Sequence, residues 1–223
     1  MISKIVEKIF SILFPYQCII CHSEDTLGNI CNHCIGKLEL NRDIQLPWIF
    51  SLYHYKDDRV HTCIHHLKNY PDQLLVYHLL DRQKRMIHGW IMGVITYYNI
   101  RNIVLVPTPI HNSRFIDRGY NQAEIIAHGL HQVLQLLLPN IPILVNTQLI
   151  KKTKQTEKQA LITDREKRFK NVINIFTKTK SEILFPTNTL IIIIDDVTTT
   201  GGTLSEIYHK FPDQPTVAFT LAH

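Results

Sequence analysis

The chain has 223 residues, 45% of them hydrophobic and 19% charged, which describes an ordinary globular protein with room for one well-packed domain and a small appendage. Its net charge of +5 lies in one stretch, because residues 151–170 carry eight basic and three acidic side chains and the remainder is neutral, so a polyanion would meet that segment. No apolar run reaches the roughly 20 residues that span a bilayer. Glu7 and Lys8 interrupt the first apolar run and no small-residue cleavage site follows, so neither a membrane span nor a secretory signal is expected and the protein reads as cytoplasmic.

Ile2, Ile5, Val6, Ile9, Phe10 and Leu13 recur at helical spacing before Pro15, which predicts a short amphipathic helix. Packing on the body of the protein is its default role. Peripheral contact with the inner membrane, helped by Lys4 and Lys8, is the alternative. Cys18, Cys21, Cys31 and Cys34 then form two CxxC pairs, and four thiolates make a closed tetrahedral Zn2+ site with no open position for chemistry. Cys18, Cys21 and His22 also spell the haem-attachment pattern CxxCH, but the second pair and the lack of an export signal oppose haem. His22 and His33 are read as surface imidazoles rather than ligands, and Cys63 as a small buried hydrophobe.

Residues 47–55 alternate as a strand does. Asp57 can cap a helix over 59–68, and Pro71 can start another carrying Leu74, Leu75, Leu79 and Leu80. His61 and His65 stand one turn apart beside His66, yet no acidic partner is evident and no metal site is expected there. A helix over 86–100 should face the core with Trp90, Ile91, Val94 and Ile95. Residues 103–106 form a buried strand, and a basic loop with Arg114, Arg118 and Gly119 leads into a helix from Gln122. A short strand over 141–145 precedes the basic segment, in which Thr163 and Glu166 make a capping box, and residues 216–221 give a last strand.

Residues 190–204, LIIIIDDVTTTGGTL, carry the densest chemistry. Five aliphatic residues predict a parallel strand buried on both faces, with Asp195 and Asp196 where it should end. Thr198, Thr199, Thr200, Gly201, Gly202 and Thr203 follow, then a helix over 204–210. Glycine lets backbone close on an anion, threonine hydroxyls add donors, and a helix start supplies free N–H groups. The two aspartates suit neighbours of such an anion, either vicinal sugar hydroxyls or Mg2+ held through water.

This stretch resembles the PRPP-binding motif of type I phosphoribosyltransferases. VPTPIHNSRFIDRGYNQAEIIA, residues 106–127, resembles the signature VPVPLH…RGFNQ of the ComF family, phosphoribosyltransferase-like proteins associated with bacterial competence. Within the basic segment Thr156, Gln159, Leu161, Arg165 or Arg168, Asn171 and Phe176 resemble the same family's pattern. The resemblance covers nearly the whole chain. It implies an α/β, Rossmann-like core with a parallel sheet over 46–223 and a four-cysteine zinc ribbon with the amphipathic helix over 1–45.

It further implies that Mg-PRPP binds with its ribose on Asp195 and Asp196, its 5-phosphate on the loop 198–203, and its diphosphate on Arg118, Gly119 and Asn121. A mobile hood containing Lys151, Lys152, Lys154, Gln159, Arg165 and Arg168 would close over the ligand. Attack at the anomeric carbon by an acceptor would release diphosphate, with Arg118 and Lys68 stabilising the departing charge. The alternative from another class is a non-catalytic module that senses PRPP, or binds single-stranded DNA or competence proteins through the ribbon and hood.

Overall fold

Leu190, Ile191, Ile192, Ile193 and Ile194 have no solvent exposure, and alternation sends Leu190, Ile192 and Ile194 into one core and Ile191 and Ile193 into another. Burying each such side chain contributes about 1.5–3 kcal/mol, so this segment commits to the middle of a two-faced sheet. In the computed structural model, which describes residues 17–24, 26, 28–43, 46–153, 175–179, 185, 186 and 188–223, it is the central strand of five.

Among the described residues the first element is a one-turn helix, α1 (Asn32–Ile35), then β1 (Ile49–Tyr53), α2 (Asp58–Asn69), α3 (Gln73–Arg82) and α4 (Lys84–Tyr98). It continues with β2 (Asn102–Pro107), α5 (Asn112–Arg118), α6 (Gln122–Leu137), β3 (Ile143–Val145), β4 (Ile150–Lys152) and β5 (Phe176–Lys178). It ends with β6 (Thr189–Val197), α7 (Gly202–Tyr208) and β7 (Thr216–Ala222). The main sheet runs β1-β7-β6-β2-β3, parallel throughout, while β4 and β5 form a separate antiparallel ribbon. One sheet face packs under α2, α3, α4 and α6; the other packs under α7 and the β4–β5 ribbon.

Helix starts follow local chemistry. Asp57 caps α2 by accepting from Arg59 N, and Asp72 caps α3 by accepting from Leu75 N, so α3 starts at Gln73, two residues beyond the expected start at Pro71. α4 begins and ends two residues before its predicted bounds, closing on Asn99 at φ 51°, a left-handed position that asparagine tolerates. Between β2 and α6 the expected loop is half helix, because His111 caps α5 and Gly119 closes it at φ 77°.

β6 also runs past the apolar residues. Its ladder with β7 continues through Asp195↔Thr220 and Val197↔Ala222, which draws both aspartates into the strand. Residues 1–16, with the predicted amphipathic helix, lie outside the described residues, as do Lys154, Gln159, Arg165, Arg168 and the capping box of Thr163 and Glu166. Lys151 and Lys152, expected at the start of a mobile cover, sit in β4 and pair with Thr177 and Phe176.

Residues 39–41 lie against β1. Leu40 bridges Tyr53 antiparallel, Asn41 N donates to Leu52 O at 3.1 Å, and His54 N donates to Glu39 O at 2.9 Å. No helix among the described residues is long and apolar enough to cross a membrane.

Candidate ligand site and cysteine cluster

Each CxxC pair folds as a tight turn. His22 N donates to Cys18 O at 2.8 Å with His22 at φ 59°, and Cys34 N donates to Cys31 Sγ at 3.4 Å. The four sulfurs of Cys18, Cys21, Cys31 and Cys34 lie within 4.8 Å of one another, the only such group of potential ligands among the described residues. Cys21 and Cys31 Sγ are 3.7 Å apart. A tetrahedron with metal–sulfur bonds of about 2.3 Å has an edge of about 3.8 Å, so the spacing fits a metal ion such as zinc.

Burial pushes the Cys18 thiol up, but hydrogen bonds from backbone at Cys21, Cys31 and Ile20 more than offset this and bring it down to about 6. Burial and the neighbouring sulfurs push Cys34 well up. A divalent cation supplies the charge that lets such crowded thiols ionise together. Neither His22 nor His33 joins the group. His61 and His65 stack at 6.3 Å, and Cys63 is buried as expected. His66, contrary to the sequence reading, does have an acidic partner, since its Nε2 lies 3.0 Å from Asp72 Oδ2.

The second assembly stands at the carboxyl ends of the strands. Asp196 N donates to Asp195 Oδ1 at 3.0 Å and Val197 N to Asp196 Oδ1 at 2.8 Å, so both carboxylates are steered by their own backbone. Burial at the strand end and the neighbouring Asp196 carboxylate push the Asp195 carboxyl well above the usual aspartate range. Thr198 accepts from Gly201 N at 3.2 Å and shapes the turn, while Gly201 at φ 72° opens α7. The first-turn N–H groups of α7 have no partner within the helix. Together with Lys152, Phe176 and Asp195, residues 198–203 line a cavity of about 150 Å3.

α2 reaches this end of the sheet. Lys68 Nζ lies 3.8 Å from Asp196 Oδ2, a loose and partly hydrated pair. One residue earlier, Leu67 O accepts from Tyr120 Oη at 3.0 Å, which ties the turn of Gly119, Tyr120 and Asn121 to the same helix. Thr108 N donates to Ile194 O at 2.8 Å, joining the end of β2 to the strand that carries the aspartates.

Asn121 is 4% exposed and its side chain is engaged internally. Nδ2 donates to Thr108 O at 3.0 Å and Oδ1 accepts from Ala123 N at 3.1 Å, which makes Asn121 the cap of α6. Arg118 is half-buried at the end of α5 and forms no ion pair among the described residues. Thus the structure brings Lys68, Lys152, Asp195, Asp196 and the loop 198–203 to one sheet end, with Arg118 and Gly119 on the adjoining turn.

Glu206 was not legible as part of this region. Its Oε1 accepts from Ile175 N at 2.6 Å and Phe176 N at 2.9 Å, joining α7 to β5 across about thirty residues of chain. A contact between residues so far apart leaves no local pattern. Arg114 was noted only as a loop cation, yet its charge bears on Lys152.

The architecture is therefore a mixed α/β protein with a five-stranded parallel sheet, carrying a polar cavity at its carboxyl edge and a four-cysteine cluster. No protein-family model matches the sequence. Over 219 residues the chain is 24% identical to Competence protein F of Haemophilus influenzae, an alignment that covers 87% of this chain and 90% of that protein. This likeness over most of both chains supports a ComF-family assignment.

Proposed function

We propose that the chain is a phosphoribosyltransferase-fold protein of natural competence, with residues 46–223 binding Mg-PRPP and residues 1–45 carrying a structural zinc. The observation that carries this reading is the junction of β6 and α7, where Asp195 and a threonine–glycine loop line a small cavity and Asp196 stands next to Asp195 in the strand. A phosphate on that loop and a ribose on Asp195 and Asp196 use complementary chemistry, donors for the anion and acceptors for the diol. Mg2+ suits the hard oxygens of the same two residues, through water, and would offset the burial and the Asp196 repulsion that together raise Asp195.

Arg118 and the N–H groups around Gly119 would take the diphosphate, with Asn121 shaping that turn from within. Lys68, already beside Asp196, adds positive charge where diphosphate would depart. No side chain stands out as a nucleophile, so an acceptor would make the attack. The likeness to Competence protein F supports competence as the setting.

Calorimetric titration of PRPP into the zinc-loaded protein with Mg2+, beside the D195A/D196A double variant, tests the reading. Binding by the unaltered protein and a loss of roughly 100-fold or more in the variant are expected, because removing a charged partner costs about 1.5–3 kcal/mol per strong contact. Equal affinity in both proteins would sink it. Absence of PRPP binding, with salt-sensitive retention of single-stranded DNA on a filter, would favour the DNA-handling module instead.

A further inference from the structure

We propose that Lys152 is a fixed wall of the phosphate cavity and supplies the counter-charge by which the site selects a terminal phosphomonoester. This rests on the reading of the cavity as the seat of the 5-phosphate of PRPP. It assigns to one lysine a task that the loop cannot perform alone.

The need for it is electrostatic. A phosphomonoester carries about −1.5 to −2 charges at pH 7 and would sit beside Asp195 and Asp196. N–H and hydroxyl donors from 198–203 satisfy oxygen atoms but bring no net charge. α7 has only seven residues, so little dipole stands behind them. Among the described residues that line the cavity, Lys152 is the single cation.

Its mount is rigid. Lys152 is paired with Phe176 in the β4–β5 ribbon, and its Nζ stands 5.4 Å from the centre of the Phe176 ring. Thr153 N and Oγ1 donate to Ile175 O at 2.8 and 3.0 Å, which closes the ribbon beyond the pair. Ile175 N and Phe176 N are both held by Glu206, a residue of the helix that opens from the phosphate loop. Ammonium, ribbon, helix and loop are thus fixed to one another through Glu206.

Its surroundings favour an anion as well. Burial and the nearby Arg114 lower the Lys152 pKa, while Asp195 and Glu206 act in the opposite sense. An ammonium that is partly stripped of water and faces a second cation gains from a dianion more than an exposed lysine would.

Calorimetry with ribose 5-phosphate, inorganic diphosphate and PRPP against wild type, K152M, K152Q and K152R separates the possibilities. A hydrogen bond to a charged group corresponds to roughly 10- to 100-fold in affinity. K152M and K152Q should each lose about that factor for ribose 5-phosphate and for PRPP, and change diphosphate binding by less than about twofold. K152R should keep most of the affinity. Full retention of ribose 5-phosphate binding by K152Q would assign any K152M defect to packing on Phe176 and overturn the charge argument. Equal losses for diphosphate and ribose 5-phosphate would place Lys152 at the wrong end of the ligand. Either result, with wild type still binding PRPP, overturns this inference alone; a wild type that binds neither sugar phosphate overturns the proposed function and this inference with it.

Discussion

After β2 the chain turns through residues 108–121 into α6, and after β6 it turns through 198–201 into α7. Both are strand–loop–helix junctions on neighbouring strands, and both place a glycine at positive φ before or at the helix start. The first is longer, builds α5 inside itself and commits its asparagine to internal bonds. The second is short and leaves the Asp195 carboxylate and a run of hydroxyls around a cavity. The contrast shows that a shared motif shape does not make two equal junctions: the first commits its asparagine to internal bonds, while the second opens its threonine–glycine loop onto a cavity.

The largest stability loss belongs to the first junction. Asn121→Ala removes a helix cap and strips the buried Thr108 carbonyl of its donor, so a loss of about 2–3 kcal/mol is expected in urea unfolding. A loss below about 0.5 kcal/mol would show that Asn121 is not structural and would blur the contrast.

The two glycines sharpen it further. Gly119→Ala at φ 77° meets nothing within 4 Å, whereas at Gly201, φ 72°, an added Cβ would lie 2.8 Å from Leu46 Cδ1 and 3.2 Å from Ile49 Cδ1. Both should lose about 1–2 kcal/mol to backbone strain, with some tenths more at Gly201 while side chains shift. PRPP affinity should fall far more for Gly201→Ala, by roughly tenfold. Equal effects on binding would mean that the loop after β6 is not the tighter seat.

The smallest effect has the opposite sign. Because the Asp195 pKa is raised in the fold, wild-type stability is fully present below the ordinary aspartate value of 3.8 and is lost as pH rises through the raised value. Asp195→Asn should therefore raise the melting temperature at neutral pH, with the advantage fading as the pH approaches about 4. A melting temperature unchanged at neutral pH would argue that the carboxylates are not in conflict.

Much of this was legible in the sequence, for reasons that can be named. Residues 190–194 admit only a strand buried on both faces, Asp57 announces α2, and two CxxC pairs announce a cluster of four sulfurs. α5 is not legible because none of its residues is fully buried, so no apolar period marks it as a helix. The extension of β6 through Asp195 and Asp196 depends on pairing with β7, which residue types alone do not reveal. The mount of Lys152 through Phe176 and Glu206 joins three separate segments, and no local spacing encodes it.

The contact of Leu40 with Tyr53 has a consequence for the free protein in a crowded cell. A strand at the margin of a sheet offers unpaired backbone groups to any other extended chain, and β1 would be the longer of the two marginal strands, five residues against three in β3. Asn41 and Glu39 occupy backbone groups along that margin, and the segment bearing them leads directly from the last cysteine turn. The segment that follows the cysteine turns thereby guards the sheet against edge-to-edge aggregation, so a change that dislodges it would be felt first as insolubility rather than as a weaker grip on ligand.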